Sequence, residues 1–183
     1  MKKALFVIAA LALSMTASAK YWFSGTISYD NKSLYNSDNN KGILVIAPSV
    51  GMAIEDALEL GIEFDITDYK YIYAGQNQRF GFSFAPLLRY TFLTEGNFNM
   101  FVQGRFEYGV VSPSGNDLWF LSFKVQPGIR YMMSDHFSAV ATLDGFYFTH
   151  RNDPVMKVGD DFKNNVGFGI DCAALKLGLV YEF

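Results

Sequence analysis

The sequence predicts an all-β protein, an eight-stranded antiparallel up-and-down transmembrane β-barrel. Three observations lead to this prediction. Apolar and polar residues alternate with period two along the chain after its first twenty residues. Half of the 183 residues are hydrophobic and 17% are aromatic, yet no later stretch is apolar over the roughly 20 residues that a spanning helix needs. Within the alternating segments, every charged residue falls on the same one of the two faces.

The N-terminus has the order of a secretory signal peptide. Lys2–Lys3 precede the apolar run Ala4–Leu13, and Ala17–Ala19 supplies small residues at the cleavage position. This run is too short and wrongly flanked for a membrane anchor, and an ordinary buried helix is the alternative. We expect cleavage after Ala19, so that residues 1–19 are the signal peptide and residues 20–183 are the barrel domain.

Charge and cysteine content exclude some classes of function. Without Lys2 and Lys3, the 15 basic residues fall to 13 against 18 acidic residues, which gives a formal charge of −5. A mildly acidic chain without a basic cluster gives no reason to expect nucleic acid as a partner. The single Cys172 excludes an internal disulfide bond, and no neighbouring residue marks it as an activated thiol.

Eight segments show the alternation, each bounded by turn signals. The predicted strands are 21–29, 44–54, 58–66, 80–92, 98–110, 119–133, 137–147 and 166–183. In the first strand the apolar set is Tyr21, Phe23, Gly25, Ile27 and Tyr29. The second and third strands are mainly aliphatic at these positions, and the fourth to sixth each have at least three aromatic residues there, which is typical of β-strands. The seventh keeps one phase from Phe137 to Tyr147.

The eighth segment changes phase. Its apolar residues fall on even positions from Val166 to Cys172 and on odd positions from Leu175 onward. We expect a β-bulge near Ala173–Ala174, because one extra residue reverses the two faces. The alternative keeps one register and turns Asp171 outward, which is tolerable only above the membrane.

Connections between the segments alternate in length. The links at 55–57, 94–97 and 134–136 are short, whereas those at 31–41, 69–78, 112–118 and 152–161 are longer and more polar. Short turns at one end and longer loops at the other are typical of outer-membrane barrels, with the short turns on the periplasmic side.

Pro48, Pro86 and Pro127 recur at spacings of 38 and 41 residues, and we expect a bulge or kink at each.

The direction of the charged face decides between a soluble and a membrane barrel. A soluble sandwich or barrel turns its apolar face inward, and a membrane barrel does the reverse. The many large aromatics, the export signal and strands of about ten residues favour the membrane barrel. The predicted interior polar network is Glu59, Glu63, Arg79, Arg89, Arg105, Glu107, Lys124, Arg130, Asp144 and Lys176.

The C-terminal segment 176–183 resembles the outer-membrane assembly signal, which it matches at Lys176, Gly178, Tyr181 and Phe183. Across residues 20–183 the chain resembles the OmpA/OmpX-like outer-membrane β-barrel family, loosely called the porin family, notably at 47–51 and 85–90. The resemblance implies an outer-membrane location, surrounding lipid, and the barrel-assembly machinery as a partner during biogenesis. Unlike full OmpA-type proteins, nothing follows the last strand, so we expect no peptidoglycan-binding domain.

Function is predicted as non-enzymatic. The interior of an eight-stranded barrel is just wide enough for side chains to fill, so we expect a plugged, monomeric barrel without cofactor or metal. It would contribute to envelope structure or to surface interaction and adhesion through its loops. The alternatives are a lipid A-modifying enzyme, a narrow-pore porin and a soluble lipocalin-type barrel. For the enzyme, only His136 and His150 offer a base. Metal binding at Asp38–Asn40 or at Asp160–Asp161 is a further alternative, and we interpret these residues as solvated loop residues.

Overall fold

The computed structural model describes residues 20–30, 43–69, 79–112, 118–152 and 164–183. These residues form eight strands that pair in chain order, and the first strand pairs with the last to close the barrel. The strands are β1 (Tyr21–Asp30), β2 (Ile43–Glu55), β3 (Leu58–Tyr69), β4 (Arg79–Glu95), β5 (Phe98–Ser112), β6 (Leu118–Met132), β7 (Phe137–Asn152) and β8 (Asn164–Glu182). All eight pairings are antiparallel. The predicted closed barrel of eight antiparallel strands is therefore confirmed.

Three short turns gather at one end of the barrel, which we call the turn end. Two of them have two residues each, Asp56–Ala57 and Gly96–Asn97, and the third spans residues 133–136. Gly96 has a φ of 57°, a left-handed conformation that glycine adopts without steric cost. Tyr21 and Phe183 lie at the same end, since the backbone N–H of Phe183 donates to the carbonyl of Tyr21 over 2.9 Å.

The opposite end of the barrel is called the far end. The strand ends that flank the predicted longer links lie there, and the links themselves fall outside the described residues apart from their end residues, as does the predicted signal peptide. Within the described ranges, no helix is long and apolar enough to cross a membrane.

The outer face of the barrel carries the large apolar side chains. Among the described residues, 32 large hydrophobic side chains are between 36% and 72% exposed, including Phe23, Phe82, Phe106 and Leu177. Away from the bulges and turns they occupy the alternate positions that point away from the barrel axis, as Leu60, Ile62, Phe64 and Ile66 do in β3, where the residues between them are buried. Because successive side chains of a strand point to opposite faces, the polar positions of the same strands line the interior.

Bulges reverse this alternation at specific points. In β2 the residue Ile54 is extra, because Ala53 pairs with Glu59 and Glu55 with Leu58. In β4 the residue Phe92 is extra in the same way, opposite β5. Both lie next to a short turn, where an additional residue increases local twist and bends the strand.

The single phase predicted for β7 is wrong beyond Leu143. Between Thr142 and Phe146 this strand has one residue more than β6 opposite it. The phase therefore shifts: Phe146 and Phe148 are 37% and 40% exposed, whereas Thr149 is only 7% exposed. Tyr147, expected outside, pairs directly with the inward Lys124.

The bulge predicted in β8 is confirmed and is larger than expected. Lys176 pairs with Thr142, while Asp171 pairs with Asp144, so β8 has three more residues than β7 over this step. A further extra residue lies between Asp171 and Phe168. Val166 and Phe168 consequently pair with Phe148 and Phe146, the outward residues of β7. This pairing agrees with the even-numbered apolar pattern of the sequence.

The three prolines have a common setting. Pro48, Pro86 and Pro127 each have a register partner on the preceding strand but none on the following strand. A proline lacks the N–H that the second ladder would need. The pairing shifts register only beside Pro127, between Val125 and Gly128, and the extra residue there lies on β7. A bulge in the proline's own strand is therefore absent at all three positions.

Candidate functional site: the polar interior of the barrel

The interior of the barrel is lined by charged and amide side chains together with a smaller apolar group. The charged residues form two clusters. The far-end cluster consists of Glu63, Asp65, Arg105, Glu107, Lys124 and Lys176. The turn-end cluster consists of Glu59, Arg89, Arg130 and Glu182. Every member lies at an inward position of its strand, which is why residues far apart in the chain meet at the barrel axis.

Arg105 is the centre of the far-end cluster. Its Nη1 lies 2.7 Å from Glu63 Oε1, and its Nη2 lies 2.7 Å from Asp65 Oδ2. Glu107 Oε2 is 3.6 Å from the same Nη2. The residue is only 1% exposed, so its positive charge is balanced by these carboxylates rather than by solvent.

Two lysines complete this cluster. Lys124 Nζ lies 3.3 Å from Glu107 Oε2, and Lys176 Nζ lies 3.0 Å from Glu63 Oε1. The hydroxyl of Ser83 donates to Glu107 Oε1 over 2.7 Å. Three bases and three acids therefore occupy the far-end cluster, and it is formally neutral.

The turn-end cluster is built around Glu59. Arg89 Nη1 lies 3.0 Å from Glu59 Oε2, and Arg130 Nη1 lies 2.9 Å from Glu59 Oε1. The same Nη1 of Arg130 lies 2.9 Å from Glu182 Oε1. Two bases and two acids make this cluster formally neutral as well.

A chain of amides leads away from the turn-end cluster. Arg89 Nη2 donates to Gln103 Oε1 over 2.9 Å, and Gln103 Nε2 donates to Gln126 Oε1 over 3.0 Å. Gln126 Nε2 then donates to Asp144 Oδ1 over 2.5 Å. The amide side chains thus extend the polar connections from β4 to β7 across the inner wall.

An apolar group packs inside the barrel beside the turn-end cluster. It consists of Trp22, Leu87, Phe101, Val140 and Val180. The guanidinium carbon of Arg89 lies 4.5 Å from the ring centre of Phe101 and 5.3 Å from that of Trp22, close enough for cation–π attraction. These side chains pack together in the interior at this height.

Glycines on the inner wall make room for the two large rings. A Cβ atom at Gly51 or Gly61 would overlap the indole of Trp22, and one at Gly128 would overlap the ring of Phe101. Each aromatic ring therefore lies against bare backbone of the neighbouring strands. The small residues at these positions are a packing requirement of the interior.

Pairing of the interior charges has an energetic cause. A charge removed from water without a partner is costly, and removing one partner of a buried ion pair typically costs about 3–5 kcal/mol. Each arginine of the two clusters contacts at least two carboxylates or a carboxylate and an amide. The arrangement gives every charged residue of the two clusters at least one oppositely charged partner within 4 Å.

The structure brings together most of the residues predicted for the interior. Eight of the ten lie in the two clusters, and Asp144 joins the network through its hydrogen bond with Gln126. The side chain of Arg79 lies outside the described residues. The sequence prediction placed Asp65 and Glu182 on the charged face without including them in the network, and it missed Gln103 and Gln126, although all four share the inward phase.

The four residues of the predicted assembly signal have different environments. Lys176 points inward into the far-end cluster. A Cβ at Gly178 would overlap the carbonyl oxygen of Gly25 on β1. The rings of Tyr181 and Phe183 meet edge to face with their centres 4.9 Å apart, and the ring centre of Phe137 also lies 4.9 Å from that of Tyr181.

The two histidines lie at opposite ends of the barrel. His136 is in the exposed turn, and its Nδ1 donates to the backbone carbonyl of Glu182 over 2.9 Å. The hydroxyl of Ser134 accepts from the backbone N–H groups of His136 and Phe137, so it serves the turn. His150 is on β7 near the far end, with its ring 5.6 Å from that of Trp119. The two rings therefore do not share a site.

No group of three or more potential metal ligands occurs in the part of the chain that the structure describes. The loop residues Asp38–Asn40 and Asp160–Asp161, which the sequence analysis raised as a metal alternative, lie outside the described residues.

Comparison with solved structures finds barrels of the same fold. Neisserial surface protein A is similar with a TM-score of 0.58 and 13% identity, over 91% of this chain and 99% of that chain. The N-terminal β-barrel domain of OprF from Pseudomonas aeruginosa is similar with a TM-score of 0.53 and 14% identity, over 90% of this chain and 97% of that domain. No protein-family model and no curated protein matches the sequence. The chain has the fold of small eight-stranded outer-membrane barrels, as the resemblance to the OmpA/OmpX-like family implied.

Proposed function

We propose that this protein is a non-enzymatic outer-membrane barrel that anchors itself in the bilayer and does not conduct solutes. The observation that supports this proposal most directly is the interior, into which two neutral ionic clusters and an apolar group project. A general porin needs an open aqueous lumen, whereas an eight-stranded barrel leaves room only for its own side chains.

The outer face supports a bilayer environment. Soluble proteins rarely expose contiguous apolar patches of more than a few hundred Å², yet here apolar side chains cover every strand's outer face. The charged residues point the other way, and an arginine or lysine turned toward lipid at mid-membrane costs roughly 2–4 kcal/mol. The surrounding partner is therefore lipid, and the barrel functions as a monomer.

The orientation follows from the connections. Short turns are the periplasmic side of outer-membrane barrels, so the turn end faces the periplasm and the far end faces the cell surface. The chain reaches this position by export through the signal peptide at 1–19 and by insertion through the barrel-assembly machinery, which reads Lys176, Gly178, Tyr181 and Phe183. Surface or host partners then meet the loops at the far end, and the role is envelope structure or adhesion.

Location and closure can be tested in one experiment. Outer membranes are separated from inner membranes on a density gradient, and the protein is run on a gel with and without boiling. We expect it in the outer-membrane fraction, with faster migration before boiling because a closed barrel stays compact. Recovery in the soluble periplasm, or identical migration in both samples, would show that the membrane assignment is wrong.

Conductance separates the plugged barrel from a narrow-pore porin. Purified protein in a planar lipid bilayer is expected to give no stable channel in molar salt, because the ion pairs and the rings of Trp22 and Phe101 close the axis. A reproducible stable conductance would favour the porin.

A lipid A-modifying enzyme predicts a chemical change instead. Overexpression followed by mass spectrometry of lipid A is expected to show no change in its acyl chains. Loss of an ester-linked chain or gain of an additional one would contradict the non-enzymatic proposal.

A further inference from the structure

The last strand closes the barrel with inward charges that pair with strands to which it is not hydrogen-bonded. On β8, Lys176 reaches Glu63 of β3 over 3.0 Å, and Glu182 reaches Arg130 of β6 over 2.9 Å. Neither β3 nor β6 is a sheet neighbour of β8, which pairs with β1 and β7. These two contacts therefore cross the lumen and are independent of the backbone ladders.

The charge balance of each cluster depends on β8. Without Lys176, the far-end cluster has two bases and three acids and a formal charge of −1. Without Glu182, the turn-end cluster has two bases and one acid and a formal charge of +1. The first seven strands thus leave a negative site toward the far end and a positive site toward the turn end. β8 supplies a residue of the opposite charge to each site.

Hydrophobic alternation alone leaves the register of β8 ambiguous. A slip by one residue exchanges the two faces and is strongly disfavoured. A slip by two residues keeps the faces, and on the outside it merely replaces one leucine by another, since Leu175, Leu177 and Leu179 follow at alternate positions. Over the three leucines the outer face therefore does not distinguish the native register from one displaced by two. Only Tyr181, which packs against Phe137, and Phe183 differ from them on this face.

The bulge in β8 removes a second constraint on register. The extra residues between Asp171 and Lys176 separate the lower part of the strand, from Lys176 to Glu182, from the upper part. These extra residues allow the lower part to shift along its neighbours without breaking the pairings of the upper part with β7. The register of the lower part has to be set by its own residues.

We propose that Lys176 and Glu182 select the register in which β8 closes the barrel, through their ion pairs across the lumen. Two residues along a strand correspond to about 6.6 Å, so a slip by two carries both charged groups beyond ion-pair distance of their partners. Gly178 is the competing determinant, because a larger residue shifted into its place would overlap the carbonyl of Gly25. The proposal concerns closure itself and is independent of the compartment and of the task proposed above.

Disulfide trapping reads the register directly. The mature chain with Cys172→Ser receives Ile27→Cys on β1 together with a second cysteine on β8. Leu177→Cys reports the native pairing, in which Ile27 lies opposite Leu177, and Leu175→Cys or Leu179→Cys reports the two slips. Each pair is oxidised after the chain folds from urea into detergent micelles, and closed barrels are isolated by their migration before boiling.

Three charge variants are compared in this background. The charge-exchanged variant is Lys176→Glu with Glu182→Lys, which keeps the net charge. The neutral variant is Lys176→Met with Glu182→Gln. Lys20→Glu is the control, because Lys20 is exposed at the turn end and has no place in either cluster.

With the native charges and in the control, we expect the native pair to form the disulfide predominantly. In the neutral variant the ratio of native to slipped disulfide is expected to fall about tenfold or more, since charge-assisted hydrogen bonds contribute at least that factor. The charge-exchanged variant is expected to fall further or to leave the barrel open.

The neutral variant decides the outcome if the exchanged variant does not close. A mixture of native and slipped disulfides in it supports selection by charge. A native-only pattern overturns the proposal and assigns the register to Gly178. Failure of the neutral variant to close also overturns it, because the charges would then be needed for closure in any register.

Discussion

Of all the residues in the two clusters, Arg105 is the one on which the ion pairs of the interior depend most. Its guanidinium contacts Glu63, Asp65 and Glu107, and no solvent replaces it, because the side chain is wholly buried. Lys124 belongs to the same cluster, but among the described residues its ion-pair partner is Glu107 alone, and its side chain is 23% exposed. Residues of the same charge in the same cluster therefore differ widely in what their removal costs.

The first prediction compares these two bases. Arg105→Met leaves three buried carboxylates facing two lysines, and we expect it to lower the free energy of unfolding by about 3–5 kcal/mol. Lys124→Met removes one longer, partly solvated pair and should cost about 1 kcal/mol or less. Urea unfolding in lipid vesicles, followed by tryptophan fluorescence, measures both. Equal losses would show that the burial of Arg105 has no energetic consequence.

The second prediction concerns glycines on the two faces of the wall. A Cβ at Gly51 overlaps the indole of Trp22 and the carbonyl of Leu60, whereas a Cβ at Gly104 meets nothing within 4 Å. Gly51→Ala is expected to lower the unfolding free energy by about 1–3 kcal/mol through overpacking, and Gly104→Ala to leave it unchanged or slightly raised. The same urea titration tests both, and a neutral Gly51→Ala would contradict the packing described for Trp22.

At the scale of the strand, alternation predicted the elements but not the point where β7 changes phase. The period of two identifies strands because one face is apolar along its whole length. Across Phe146, Tyr147 and Phe148, however, both phases are aromatic, so the pattern carries no information about which one faces out. In β8 the phase change was visible, because Ile170 and Leu175 are apolar on opposite phases and Asp171 is charged.

The third prediction tests the phase of β7. Phe146→Glu places a carboxylate on the outer face and should cost about 1–2 kcal/mol, less than an arginine at such a site. Tyr147→Glu places it opposite Lys124 and should fold as well as the unsubstituted chain. The fraction that migrates as a closed barrel before boiling, after refolding into vesicles, distinguishes them. The reverse ranking would restore the single phase that the sequence predicts.

At the scale of the whole molecule, the barrel holds two neutral clusters at different heights. Sequence placed their charged residues on one face, but it did not predict which acid meets which base. Lys176 and Glu63 are 113 residues apart, and their contact depends on the tilt of the strands and on bulges that shift the pairing. The pairing partners therefore follow from closure of the barrel, whereas the face follows from local alternation.

The fourth prediction is that the two clusters are energetically separate. Arg105 and Arg130 share no carboxylate among the ion pairs described, so the effects of Arg105→Met and Arg130→Met should add to within about 0.5 kcal/mol. Arg89 and Arg130 both bind Glu59, so their double variant should deviate from additivity by about 1 kcal/mol or more. Double-mutant cycles from equilibrium unfolding measure both. Strong coupling between the clusters would mean that the interior responds as one unit.

Gly25 and Gly104 leave two gaps in the outer wall, since a methyl group placed on either Cα would meet no atom within 4 Å. A cysteine-linked nitroxide at either gap would project directly into the acyl chains without displacing a neighbour. Its paramagnetic relaxation by dissolved oxygen, set against that by a water-soluble nickel chelate, would report immersion depth at two sites on opposite arcs of the circumference. The difference in depth between the two labelled positions would measure the tilt of the barrel axis in the proposed membrane.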